Sequence, residues 1–238
     1  MPVQIFTRTC GPLATNAYLC HETAANAVVV IDPAIGADEL FERARQLVAD
    51  GARFEGIWNT HGHFDHIYDN ARWKAEFRAP IYAHPADDFF LEHLREQSLW
   101  FGLEAPEIVP TDVALSEGDT VPLGSESALV ECYPGHSPGS VAFLLSNAAS
   151  SSNNPAQSSR EVVFRPRDVV LVGDVLFQGS VGRTDLPGGD ARVLANSLER
   201  LFHLPDATRI LPGHGPETTI GQEKADNEVA RQLLASLS

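Results

Sequence analysis

The segment Thr60-His61-Gly62-His63-Phe64-Asp65-His66 carries three imidazoles and one carboxylate within six residues. His61 and His63 stand two apart, so a turned backbone lets both reach one ion. Asp65 and His66 follow at once and can face a second ion. Imidazole and carboxylate ligands suit zinc, iron or manganese. The spacing is not that of a helical H-E-x-x-H pair, in which two histidines share a helix face four residues apart. Gly62 removes side-chain bulk between the ligands and points to a loop.

Three later segments supply partners, each a glycine-flanked ligand candidate just past an apolar run. Pro134-Gly135-His136-Ser137-Pro138-Gly139 follows Ala128-Leu129-Val130. Gly173-Asp174 follows Val169-Val170-Leu171. Pro212-Gly213-His214-Gly215 follows Ile210-Leu211. A strand, a sharp turn and then a His or Asp presents a ligand on a rigid mount. The candidates are therefore His61, His63, Asp65, His66, His136, Asp174 and His214. Seven ligands exceed one tetrahedral zinc and suit two metals sharing a bridging carboxylate.

This order of motifs resembles the metallo-β-lactamase superfamily, over roughly residues 5 to 225. Asp32, in Val30-Ile31-Asp32-Pro33, matches the superfamily's early aspartate, which is usually structural. Within it, the runs Gly179–Asp190 and Pro212–Gly221 are most similar to the short bacterial-type glyoxalase II proteins, the hydroxyacylglutathione hydrolases. The resemblance implies an α/β fold, an αββα sandwich of two mixed β-sheets flanked by helices. It implies two divalent metal ions, zinc foremost, with iron or manganese as alternatives. His61, His63 and His136 would hold the first, and Asp65, His66 and His214 the second, with Asp174 bridging. The implied reaction is hydrolysis of a thioester such as S-D-lactoylglutathione by a metal-bridged hydroxide. Asp65 and Asp174 would take part in catalysis, with Asp65 orienting the hydroxide, and Thr60 or Asn59 could support the ligands.

Longer glyoxalase II members grip glutathione with basic residues in a helical segment after the metal-binding part. Here 24 residues follow His214, with only Lys224 and Arg231 basic among them. Arg183 matches a basic position of that family, while Asp185 stands where those members carry an aromatic. Arg183 therefore either takes a substrate carboxylate or pairs with Asp185 to stiffen its loop; Arg suits both.

The nearest rival is a mononuclear-iron persulfide dioxygenase, which also carries Gly-Arg-Thr-Asp and uses positions matching His61, His136 and Asp174. An exported β-lactamase is disfavoured by the lack of an N-terminal charged-plus-apolar signal. A non-catalytic metal-stabilised binding protein is the alternative of a different class.

The elements that must hold these ligands follow from patterning. Short apolar runs across residues 3 to 31 read as antiparallel strands. Helical spacing marks 38–50, with Asp38 as a possible N-cap, then 69–77, 87–103, 191–202 and 224–237. Residues 56–60 and 79–84 read as strands, with further strands up to Leu145. His84 reads as structural, His21, His93 and His203 as surface or helix histidines, and Cys132 as a small buried filler. Residues 1–238 are expected to form one domain, with a Ser/Asn-rich loop insertion at 147–160.

Hydrophobic residues make up 43% of the chain and the net charge is −15, from 17 basic and 32 acidic residues. That field repels nucleic acid and anionic membranes and counts against a nuclease. A small-molecule substrate is the expected partner. No stretch approaches membrane-spanning length. Three cysteines without zinc-ribbon spacing suit a reducing, cytoplasmic setting.

Overall fold

The computed structural model describes residues 3–145 and 169–237. Two six-stranded sheets face each other. The first has the order β1 (Val3–Cys10), β2 (Thr15–Glu22), β3 (Ala27–Ile31), β4 (Arg53–Trp58), β5 (Ile81–Ala83), β6 (Val113–Ala114). Its first three strands are antiparallel, and β3 to β6 run parallel. The second contains β7 (Thr120–Leu123), β8 (Glu126–Cys132), β9 (Val141–Leu145), β10 (Val169–Gly173), β13 (Arg209–Pro212) and β14 (Thr218–Thr219). Its order is β14-β13-β10-β9-β8-β7, with β10 and β13 parallel. A small hairpin pairs β11 (Leu176–Phe177) with β12 (Ser180–Val181).

Period-two alternation sorts each buried strand between two cores. In β3, Val29 and Ile31 enter the core between the sheets, while Val28 and Val30 face helices α1 (Asp38–Ala49) and α3 (Asn70–Phe77). In β10, Val169 and Leu171 point inward. Val170 and Val172 meet α5 (Ala191–Leu201) and the start of α6 (Ile220–Asp226), through Leu194, Leu198, Leu201 and Ile220. These strands are apolar on every residue because both faces are covered. The result is an αββα sandwich.

α2 (Phe64–Ile67) and α4 (Phe89–Trp100) flank the sheet edge where the ligand motifs lie. Among the described residues, no helix is long and apolar enough to cross a membrane.

Several expectations need correction. Asp38 is the first residue of α1, not its cap; the cap position is Ala37 and makes no side-chain bond. An acid in the first turn still complements the helix dipole. The expected C-terminal helix is two helices, α6 and α7 (Glu228–Ala235). Asn227 breaks them, with an extended ψ of 93° and its side chain capping Ala230 N at 2.9 Å. Residues 87–103 shorten to α4 because Pro85–Asp87 forms a separate 3₁₀ turn. His21 is a buried strand residue bonded to Asn26 Oδ1 at 2.8 Å, and Cys132 is only half-buried. The Ser/Asn-rich stretch at 147–160 lies outside the described residues.

Candidate metal centre

All seven candidate ligands converge at one edge of the sandwich. The C-terminal ends of β4, β8, β10 and β13 deliver them, and backbone bonds clamp those ends together. Val141 N donates to Thr60 O at 2.8 Å, and Gly213 N to Gly173 O at 2.8 Å. Asn16 N donates to Gly213 O at 2.7 Å, and Tyr18 Oη to Pro212 O at 2.6 Å, so the first sheet also grips the last ligand turn. The β10–β13 register slips between Leu171 and Gly173, and Gly173 takes φ +55°. Such a bulge re-aims the chain, here at Asp174. A Cβ on Gly173 would lie 2.4 Å from Thr60 Oγ1, so the close approach needs glycine.

The ligand atoms form two groups. His61, His63 and His136 offer nitrogens within 4.8 Å of one another, and so do the ligand atoms of Asp65, His66 and His214. Asp174 lies between them. Its Oδ2 is 3.6 Å from His136 Nε2 and 3.4 Å from His214 Nε2, and its Oδ1 is 3.5 Å from His66 Nε2. Asp65 Oδ2 is 3.3 Å from His214 Nε2 and 3.4 Å from His66 Nε2. Six of the seven side chains are buried; His214 is half-buried.

The far side of four of the five imidazoles, all but that of His63, is fixed by an acceptor, which sets the tautomer. His136 Nδ1 donates to Arg183 O at 2.8 Å and His214 Nδ1 to Leu13 O at 3.1 Å. His66 Nδ1 lies 3.0 Å from Asp32 Oδ2. Thr60 Oγ1 donates to Asp32 Oδ2 at 2.6 Å and so accepts from His61 Nδ1 at 3.1 Å. Asp32 itself sits at φ +49°, a costly conformation for a non-glycine residue, held by these bonds and by Thr60 N at 2.7 Å. Asp32, with His61 and His66, also lies within ligand range. Its carboxylate is already committed to His66 Nδ1 and to Thr60, which in turn holds His61.

Lone pairs are thereby turned inward against each other. His61 Nε2 and His136 Nε2 are 3.2 Å apart, and His63 Nδ1 and His136 Nε2 are 2.8 Å apart. His66 Nε2 and Asp174 Oδ1 are buried without a hydrogen-bond partner. Burial, helped by the neighbouring imidazoles, pushes the pKa of His61 well down and that of His63 to about 3. Burial opposes protonation of His66 and His214 too. Asp65, Asp174 and Asp32 outweigh it at His66, raising it to about 9, and Asp174 and Asp65 raise His214 to about 11. Burial would raise Asp65 and Asp174, yet both are lowered, first by His66. Neutral imidazoles facing one another beside carboxylates that draw positive charge are the donor set a divalent cation fits.

Two residues passed over in the sequence complete the cluster. Thr15 Oγ1 donates to Asp65 Oδ2 at 2.7 Å. Asp87, buried beneath the ligand loops, accepts from Gly62 N (2.8 Å), Ser137 Oγ (2.7 Å) and Gly139 N (2.6 Å). Its pKa is raised by burial against those bonds. It ties the loop of His61 and His63 to the loop of His136. No local motif marks either residue. Of the two expected supports, Thr60 serves, whereas Asn59 pairs with Asn70 instead. His84 caps the 3₁₀ turn, accepting from Ala86 N. Arg183 pairs with Asp185 through Nε–Oδ1 at 2.6 Å and Nη2–Oδ2 at 2.7 Å.

An αββα sandwich carrying a His/Asp cluster at its strand ends defines a metal-binding hydrolase-type protein. The model of the metallo-β-lactamase superfamily matches residues 10–148 and 154–214, and the chain belongs to that superfamily. Hydroxyacylglutathione hydrolase GloC of Haemophilus influenzae is 33% identical over 230 residues, covering 95% of this chain and 94% of that protein. Two crystal structures each align with 94% of this chain and 98% of their own. BLEG-1 B3 metallo-β-lactamase does so at TM-score 0.77 and 32% identity. TTHA1623 in a di-iron-bound form does so at TM-score 0.74 and 37% identity.

Proposed function

We propose that the protein is a metal-dependent thioester hydrolase that holds two divalent ions, with hydroxyacylglutathiones such as S-D-lactoylglutathione among its substrates. The observation that carries this reading is the pair of ligand triads with Asp174 between them. His61, His63 and His136 would hold one ion and Asp65, His66 and His214 the other, with Asp174 within reach of both. Bound ions supply Lewis-acid charge and an ionised water at neutral pH. The chain's own work is orientation. Thr15 fixes Asp65, Asp32 fixes His66, and the carbonyls of Arg183 and Leu13 fix His136 and His214. Zinc suits this mixed nitrogen and oxygen set and so does iron; the di-iron form of TTHA1623 supports the latter. The net charge of −15 supports a small-molecule substrate over nucleic acid.

The test is a parallel assay of the full chain loaded with zinc or with iron. Loss of the thioester of S-D-lactoylglutathione is the expected result. Oxygen uptake on glutathione persulfide, or turnover of a β-lactam, with no thioester hydrolysis would overturn it.

A further inference from the structure

A cavity of about 720 Å³ opens onto the metal centre, with His63, Asp65, His136, Asp174 and His214 at its floor. Its walls are mostly apolar, with His93, Glu96, Gln97, Ser180 and Arg183 among the polar lining. Phe64, with Phe89, Trp100 and Phe101 from α4 and its end, forms one side. Phe64 and Phe101 stack at 4.9 Å, and Phe89 packs on Phe90 at 4.0 Å, which in turn covers His63 at 4.6 Å. Leu13, Phe177, Val181 and Leu186 face them. Trp100 is 65% exposed and Phe101 46%, so large apolar surface is left open beside a polar floor. Exposed aromatic surface of that kind marks a binding site.

The cavity has little to offer an anion. Arg183 is the only Lys or Arg lining it among the described residues, and Asp185 already engages it by both prongs. Glu96 adds a negative charge to the wall. The floor fixes where the scissile group must lie, so the cavity takes either the acyl chain or the thiol part, and a thiol part bearing carboxylates, as glutathione does, finds no free guanidinium or ammonium among its described lining.

We propose that this cavity seats an apolar acyl group, so that the preferred thioesters carry medium-length alkyl or aryl acyl chains rather than the short polar lactoyl group. The proposal rests on the thioesterase reading. The reaction adds the oxygen of water to the acyl carbon and breaks the carbon–sulfur bond, its electron pair leaving on sulfur. The products are a carboxylate and a thiol, one proton of water going to sulfur and the other to solvent.

The test uses the zinc- or iron-loaded full chain and one constant thiol, glutathione, acylated with lactoyl, acetyl, butyryl, hexanoyl, octanoyl or benzoyl groups. Each methylene buried from water should raise kcat/KM by roughly two- to fourfold from acetyl to hexanoyl. Trp100→Ala should flatten that slope. A second readout needs no turnover. Trp58 and Trp73 are fully buried, so a change in tryptophan fluorescence that the product carboxylates cause in the parent protein and not in Trp100→Ala reports Trp100. Octanoate should bind at least tenfold tighter than acetate. Hydrolysis of the lactoyl thioester with no gain on longer chains would overturn the proposal and leave the thioesterase reading standing. If no thioester is hydrolysed, that reading fails, and octanoate binding no tighter than acetate overturns the apolar cavity as well.

Discussion

Arg183 holds Asp185 in a two-pronged pair, and the same residue's carbonyl receives the Nδ1 proton of His136. The guanidinium keeps the Asp185 carboxyl down at about 2. Both side chains are exposed, at 62% and 68%, so the pair contributes little to global stability. Its effect is local, holding the loop whose carbonyl orients His136.

Arg183→Ala and Asp185→Ala should therefore resemble each other. Each should lower kcat/KM by a similar factor, about tenfold, on S-D-lactoylglutathione and on a small neutral thioester, the low end expected when a supporting partner of a ligand is disturbed. Steady-state kinetics on both substrates check this. A rise in KM confined to the glutathione thioester, from Arg183→Ala alone, would instead mean that Arg183 binds a substrate carboxylate.

Asp87 should matter as much as a ligand does. Asp87→Ala leaves Gly62 N and Gly139 N buried without their acceptor, at about 1–3 kcal/mol for each unmade bond, while Ser137 Oγ keeps Ser140 Oγ at 2.8 Å. Metal affinity should fall by about 10–100-fold, measured by chelator competition. Unchanged affinity would show that the two ligand loops hold their places without it.

Gly213 tests the crowding around Asp174. A Cβ there would stand 2.0 Å from Asp174 Oδ1 and 2.7 Å from His66 Cε1. Gly213→Ala should displace the carboxylate and lower metal content, whereas Gly102→Ala, where a φ of +70° strains the backbone but nothing lies within 4 Å, should leave metal content unchanged. Equal metal content in Gly213→Ala and the parent protein would contradict this placement.

Asp69 gives a pH dependence away from the ligands. Burial raises its pKa to about 6 against the pull of Arg72. A carboxyl raised on folding favours the native state below its unfolded value near 3.9, and that benefit is lost as pH rises through 6. Asp69→Asn should thus stabilise the protein at pH 7.5 by about 1–2 kcal/mol, a Tm gain of about 2–8 °C, and leave it unchanged at pH 4. Arg72 keeps its pair with Asp38 at 2.8 Å. No gain at pH 7.5 would show that Asp69 is ionised without penalty.

The clustering of the seven candidates was legible because each sits in a short contiguous motif at a strand end. The cores were legible because β3, β9 and β10 are apolar along their whole length. Asp87 was not, because its role is set by residues 25 to 52 positions away in the chain. Thr15 likewise acts on Asp65 across 50 residues. The break at Asn227 was hidden by apolar spacing that continues through it. Its side-chain amide donates to Ser180 O at 2.9 Å and Glu223 Oε2 at 2.8 Å, a tertiary demand that overrides local helix preference.

The most direct test of the two-ion centre is the metal content, by elemental analysis, of the parent protein and of Asp174→Ala, each produced with ample zinc or iron. The parent should approach about two ions per chain, and Asp174→Ala should lose at least one while its circular dichroism stays native. A parent that never holds more than one ion, or an Asp174→Ala protein with full metal content, would contradict the account.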